Sequence, residues 1–354
     1  MPKAWLLPVP PSPFRSDVLE ELGYAGGGPA CIFLEAYDGP SLPGLAQLRD
    51  GALICAPLEE LARTAERLSQ PWQEAALQAL RPVRSSLRLR RGLLPLGERT
   101  YVMGILNLTP DSFSDGGSYP DVDAAVHQAQ RLIADGADIL DIGGESTRPG
   151  AQAVPLDEEL RRVVPVLKAL QGRIDVPISI DTYKWPVAQE ALRLGAEIVN
   201  DITAGRTDPV MLGGCAAAGA AVVLMHTQEE ARYARVGDEI RRHLSERAAA
   251  ARAAGIAEDA IVLDPGIGFG KEPDHSYAAL RMLPSLRALG HPVLLGPSRK
   301  RFLGAATGRP TQERGNATVA AVALSVAMGA DIVRVHEVGP AVDAARVADR
   351  TVRG

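Results

Sequence analysis

Cysteine is scarce in this 354-residue chain: Cys31, Cys55 and Cys215 stand far apart, with no CxxC and no metal-like spacing. That excludes a disulfide framework and a cysteine zinc site, and it favours reduced thiols. There is no run of about 18 uninterrupted apolar residues, which predicts no membrane span. The opening MPKAWLLPVPPSPF is a short apolar patch broken by prolines, with no cleavage-like small-residue site. These absences predict a cytoplasmic protein. Positive charge is not in excess either: the formal net charge is −5, so no basic footprint for nucleic acid exists and any anionic ligand must be met by a local site. Aromatics make up only 4% of the chain, so its cores are built from Ala, Leu, Val and Ile. Lysine is rare among the cations, five of 38 basic residues. A lysine kept where arginine is the default points to work that a flat, always-charged guanidinium cannot do, and it draws attention to Lys271 and Lys300.

From residue 101 onward, short apolar runs alternate with stretches of helical length. The runs are YVMGIL (101–106), ADILDIG (137–143), PISID (177–181), EIVND (197–201), AAVVLMH (220–226), AIVLDPG (260–266), PVLLGPS (292–298) and DIVRVH (331–336). Helical patterns such as DVDAAVHQAQRLIADG (121–136) lie between them, several closed by a glycine, as at Gly136, Gly195 and Gly329. Eight strand–helix units over about 250 residues predict an α/β fold, a (β/α)8 TIM barrel. The rival is a doubly wound open sheet, which ordinarily carries GxGxxG after its first strand; residues 107–120 contain none. Ahead of the barrel, residues 85–106 alternate like a β-hairpin with Gly92 and Gly97 near turns, placed to plug the barrel's bottom. Further upstream, CIFLEAY (31–37) and ALICA (52–56) predict strands, and residues 57–80 one or two helices. The expected division is a small N-terminal α/β extension over 1–85, its role unread, followed by the barrel over 86–354.

Barrel enzymes build their chemistry at the C-terminal ends of the strands. Here every strand end carries a polar group: Asn107; Glu145 to Arg148; Asp181; Asn200 and Asp201; His226; Asp264; Ser298 to Lys300; Arg334 and His336. A single strand-end Asp or Asn is commonly a helix cap or a turn. Eight together are hard to explain as caps. Arg148, Lys300, Arg334 and His336 form a cationic group suited to a phosphate or diphosphate. Asp181, Asn200 and Asp264 are acceptors suited to a nitrogen-rich ring, because one carboxylate accepts two parallel N–H bonds. In DPGIGFGK (264–271) three glycines allow backbone to approach a flat ligand, and Phe269 offers it a face. The first loop, NLTPDSFSDGG (107–117), is longer and more polar than the roughly 2 to 6 residues such a connector needs.

In this order and spacing NLTPDSFSDGG, DIGGESTRPGA, SIDTYK, IVNDI, LDPGIGFGK, GPSRKRFLG and VRVHEV resemble the dihydropteroate synthase family, over residues 95–350. The resemblance implies condensation of 6-hydroxymethyl-7,8-dihydropterin diphosphate with 4-aminobenzoate, in folate biosynthesis, by Mg²⁺-assisted loss of diphosphate and amine attack on a pterin-methyl cation. It implies Asn107 as the side-chain ligand of Mg²⁺ and Asp181, Asn200, Asp264 and Lys300, beside Phe269, as pterin contacts. It implies Thr147, Arg148, Arg334 and His336 at the diphosphate, and Phe113 and Pro149 as walls of the 4-aminobenzoate pocket where sulfonamide drugs compete. Asp181 and Asp115 would stabilise the cation, and family members are commonly homodimers, with the Ala-rich stretch 311–329 a candidate for the interface. Thr109 to Gly117 reads as a lid that meets the second substrate after the first, so the two pterin-site ligands together should protect it from proteolysis. Two departures stand out: MHTQEEARYARV (225–236) replaces the usual Met-His-Met and Gly-Pro turn, and Pro297 replaces a small residue. A pterin-dependent methyltransferase would keep Asn200 and Asp264 but has no use for the diphosphate cluster. A non-catalytic paralogue would not be expected to fill every motif position.

Overall fold

The structure, a computed structural model, describes residues 3–7, 30–35, 45–48, 51–56, 58–69, 73, 86–109, 121–146 and 153–353. The chain divides into two compact units, residues 1–83 with 282–291, and residues 84–281 with 292–354.

The first unit holds an antiparallel sheet of β1 (Lys3–Leu7), β2 (Ala30–Glu35), β3 (Leu45–Leu48) and β4 (Gly51–Ala56), in the order β1-β2-β4-β3. The strands expected over 31–37 and 52–56 are β2 and β4, whereas β1 and β3 carry no such signal. β1 is followed closely by prolines, and LAQL in β3 has only four residues. A helix spans Leu58–Ala65, and the short helix Leu283–Arg287 belongs to the same unit.

In the second unit β5 (Ser86–Leu89) and β6 (Gly92–Pro95) form the expected hairpin. Its turn is fixed to the segment just ahead of the strand at 198–201. Arg90 Nη1 donates to Leu192 O at 2.5 Å and Ala196 O at 3.2 Å, and Arg91 N donates to Glu197 Oε2 at 2.9 Å. Leu87, on the first strand of the hairpin, is fully buried.

The barrel strands among the described residues are β7 (Tyr101–Asn107), β8 (Ile139–Gly143), β9 (Ile178–Asp181), β10 (Ile198–Asp201), β11 (Ala221–Met225), β12 (Ile261–Asp264), β13 (Leu294–Leu295) and β14 (Ile332–Val335). They pair in parallel in the order β12-β11-β10-β9-β8-β7-β14-β13, and a single Leu263–Val293 bridge joins the two edges. β8 to β12 are buried at every position, which is why they read as unbroken apolar runs. Helices between them hide one stripe each; the helix Val122–Ala134 buries Ala125, Val126, Ala129 and Leu132 and starts where the Asp121 carboxylate accepts from Asp123 N and Ala124 N. Among the described residues no helix is long and apolar enough to cross a membrane.

Candidate active site

Strand register sets the site. Asn107 pairs with Gly143, Gly143 with Asp181, and Asp181 with Asn200, so three of the expected ligands stand at one level of the barrel's C-terminal mouth. Arg334, from β14, reaches across this level. Its Nε donates to Asp141 Oδ2 at 2.5 Å and its Nη2 to Asp181 Oδ2 at 2.6 Å, while Asn200 Nδ2 donates to the same Asp141 oxygen at 3.1 Å. Arg334 is thus held inside the mouth by two carboxylates.

Asp141, the first residue of DIGGESTRPGA, is the functional neighbour to which the sequence reading gives no role. It lies mid-strand in ILDIG, fully buried. Its one signal is a lone charge inside an otherwise apolar strand, since a buried charge demands a partner. Two carboxylates share one guanidinium here, and Asp141 Oδ1 and Asp181 Oδ1 are buried without a donor among the described residues. Such an acceptor costs about 1–3 kcal/mol unless something donates to it, so Asp181 Oδ1 is poised for a ligand N–H. Burial raises the Asp181 carboxyl to about 7; Arg334 opposes this and Asp141 adds to it.

Across the mouth, Asp264 is buried and Oδ1 accepts from Gly266 N at 2.7 Å. The loop it opens nests against the loop after β11. A Cβ on Gly266 (φ 68°) would stand 1.9 Å from His226 O, and one on Gly270 (φ 58°) 2.0 Å from Gln228 O, so only glycine fits either place. Lys300 Nζ donates to Ile267 O at 2.5 Å and lies 4.1 Å from the centre of the Phe269 ring. Arg299, in the left-handed region at φ 57°, aims it there; Arg299 N donates to Thr318 Oγ1 and its carbonyl accepts from Arg314 Nη1. Burial pulls the Lys300 amine down to about 8, with Asp264 opposing and Arg334 adding. Acceptor, cation and aromatic face therefore meet at one place.

His336 extends the mouth at β14, its Nδ1 3.0 Å from Ser298 Oγ. Asp201 has the plain structural role common for a strand-end Asp, its carboxylate taking Thr203 N, Thr203 Oγ1 and Gly205 N. Glu145 is likewise engaged: Lys184 Nζ donates to it and to Glu159 Oε2, both at 2.5 Å, and to Val154 O at 2.7 Å, and Tyr183 Oη donates to the other Glu145 oxygen at 2.7 Å. Thr147, Arg148, Pro149, Phe113 and Asp115 lie outside the described residues. Among the described residues no group of three or more His, Cys, Asp or Glu is arranged to hold a metal ion.

Residues 103–336 match the family of pterin binding enzymes. The dihydropteroate synthase of Clostridium beijerinckii is 45% identical over 259 residues, 73% of this chain and 96% of that protein. The Bacillus subtilis dihydropteroate synthase is 48% identical over 241 residues, 68% and 85% of the two. Among solved structures, Xanthomonas albilineans dihydropteroate synthase with 4-aminobenzoic acid superposes with a TM-score of 0.72 at 46% identity, covering 75% of this chain and 98% of that one. The same protein in complex with 7,8-dihydropteroate gives 0.68 at 45%, covering 73% and 95%. A Yersinia pestis dihydropteroate synthase solved with a sulfonamide drug gives 0.72 at 42%, covering 76% and 100%.

Proposed function

Because the chain belongs to the dihydropteroate synthase family of pterin binding enzymes, we propose how its own residues divide the reaction of that family between them. The reaction condenses 6-hydroxymethyl-7,8-dihydropterin diphosphate with 4-aminobenzoate, giving 7,8-dihydropteroate and diphosphate for folate biosynthesis. The observation that carries the assignment is the mouth itself: a buried carboxylate oxygen at Asp181 without a donor among the described residues, a second buried carboxylate at Asp264, and a cation over an aromatic face at Lys300.

Asp181, Asn200 and Asp264 take the N–H edge of the pterin, and Lys300 donates to a ring acceptor above Phe269. Arg334 uses two of its five N–H groups on Asp141 and Asp181, leaving others for the diphosphate beside His336. Thr147 and Arg148 hold the same diphosphate, and Phe113 and Pro149 wall the 4-aminobenzoate, where sulfonamides would compete; sequence motif alone supports these four roles. The leaving group departs from a methylene on an electron-rich ring, so bond breaking runs ahead of attack and positive charge grows on the pterin-methyl group. Asp181 faces that charge, with Asp115 supplying a second carboxylate from the first loop, while Arg148, Arg334 and His336 stabilise the departing diphosphate. The amine of 4-aminobenzoate needs holding more than activation.

Asn107, half-buried at the end of β7, offers one hard amide oxygen. That donor set suits Mg²⁺, which prefers oxygen and keeps waters and phosphate oxygens in its octahedron. When bound there, the ion would neutralise charge on the leaving diphosphate. Asn107→Ala should raise the Mg²⁺ concentration for half-maximal activity about tenfold, the value of one good ligand interaction of roughly 1.4 kcal/mol. A metal titration identical to wild type would remove Asn107 from this role.

The shifted groups make the reaction pH-sensitive. Below about 7 Asp181 takes up a proton and loses its negative charge, and above about 8 Lys300 loses its ammonium. kcat/KM for the pterin diphosphate should therefore fall on both sides of that narrow window. In Lys300→Arg, whose guanidinium does not titrate, the alkaline fall should disappear even as absolute activity drops. A wild-type alkaline limb in this variant would assign it to another group.

A cytoplasmic location fits the buried, unpaired Cys215. A homodimer, checked by sedimentation, fits Leu324 and Val347, which are 51% and 69% exposed on the neighbouring helices Gly315–Ala327 and Val338–Val352.

A further inference from the structure

Lys271 ends the DPGIGFGK motif, touches neither Asp264 nor Lys300 by hydrogen bond, and is only 5% exposed. Its Nζ lies 2.9 Å from His226 Nδ1, 3.3 Å from His226 O and 3.1 Å from Phe269 O. Burial pulls the Lys271 amine down to about 7, with Asp264 opposing and Lys300 adding; in its ammonium form it has three N–H donors, and here each finds one acceptor, provided that His226 carries its own proton on Nε2. Burial, with Lys271 and His243 adding, lowers His226 to about 3, so its ring is the neutral partner that this arrangement needs.

We infer that Lys271 is a positioning residue for the pterin end of the site, locking the Pro265–Gly270 loop onto the end of β11 so that Phe269 and Lys300 keep their places. One cation ties the carbonyl of Phe269 to both the backbone and the ring of His226, and His226 N in turn donates to Asp264 O at 2.9 Å. The loop so held presents Ile267 O to Lys300 and sets the Phe269 ring beneath its ammonium. A second tie comes from the unusual stretch 225–236, where Tyr233 Oη donates to Gly270 O at 2.9 Å and the Tyr233 ring lies 6.0 Å from Lys271 Nζ. The departure from the family pattern after strand five thus has a use: its tyrosine braces the same loop. Arginine could not replace Lys271, because a flat guanidinium cannot point three donors at acceptors on one side of a compact centre.

The inference rests on the pterin reading of the mouth, and the test separates the two. Calorimetry with the pterin diphosphate and with 4-aminobenzoate, alongside steady-state kinetics, would be run on wild type, Lys271→Met, Lys271→Gln and Tyr233→Phe. Lys271→Met should weaken pterin diphosphate binding and raise its KM about tenfold or more, while KM for 4-aminobenzoate stays within about twofold. Lys271→Gln, which keeps two donors, should fall between Met and wild type, and Tyr233→Phe should shift in the same direction by less. In ¹⁵N-histidine spectra, His226 should be the Nε2–H tautomer in wild type and lose that preference in Lys271→Met. Equal change in both KM values, or no change in either with His226 unaltered, would overturn the inference. If Lys271→Met does not fold, Lys271→Gln and Tyr233→Phe decide by the same criteria. Wild-type protein that fails to bind the pterin diphosphate would instead refute the reading of the mouth.

Discussion

Asp181→Asn should lower kcat about 10²- to 10³-fold, the scale of removing one preorganised electrostatic partner from a water-poor site, with the fold intact. Arg334 Nη2 already donates to Oδ2, and Oδ1, which has no donor among the described residues, is the oxygen a pterin N–H would find. An amide in that place must turn its NH2 either toward the Arg334 donor or toward the ring donor, so one hydrogen bond is lost whichever way it lies. More is lost as the methylene becomes cationic, because the neutral amide no longer offsets that charge. Arg334 keeps its bond to Asp141, which is why the barrel should survive. Single-turnover kinetics beside a thermal melt check this; a kcat within about threefold of wild type would remove Asp181 from the charge-stabilising role.

Asp264→Asn should act on binding more than on chemistry. Asp264 spends one lone pair on Gly266 N at 2.7 Å and, in the role proposed for it, has the rest for two ring N–H groups. The amide can keep the turn but presents its own N–H to the ring, leaving one ligand donor unpaired. At about 1–3 kcal/mol for such a group, affinity for the pterin diphosphate should fall roughly 10- to 100-fold. A second effect follows from the neighbour. Asp264 holds the Lys300 amine up against the pull of burial, so its removal should move the alkaline limb below its wild-type position near 8. Calorimetry reads the first effect and the pH profile the second; unchanged affinity with an unmoved limb would contradict the assignment.

The barrel is legible in the sequence because parallel strands covered on both faces have no reason to alternate: ILDIG, ISID, IVND and AVVLM read as apolar runs, and each is buried throughout. Position at a strand's C-terminal end then picks out Asn107, Asp181, Asn200, Asp264 and Arg334. Pairing across the barrel is not legible in the same way. Arg334 lies 193 residues from Asp141 and 153 from Asp181, and no local pattern states that one cation serves two carboxylates. Asp141 is hidden inside the run that identifies its strand. The same distance effect hides the membership of residues 282–291, which belong with the N-terminal sheet although they sit between barrel elements in the chain. Lys271 stands out in the sequence only by being a lysine in an arginine-rich protein; its three acceptors, Phe269 O and two atoms of His226, are brought to it by the fold.

That this mouth carries out a condensation is tested most directly by product formation. Purified chain supplied with 6-hydroxymethyl-7,8-dihydropterin diphosphate, 4-aminobenzoate and Mg²⁺ should release 7,8-dihydropteroate and diphosphate in equal amounts. Protein that binds the pterin diphosphate yet releases neither would contradict it.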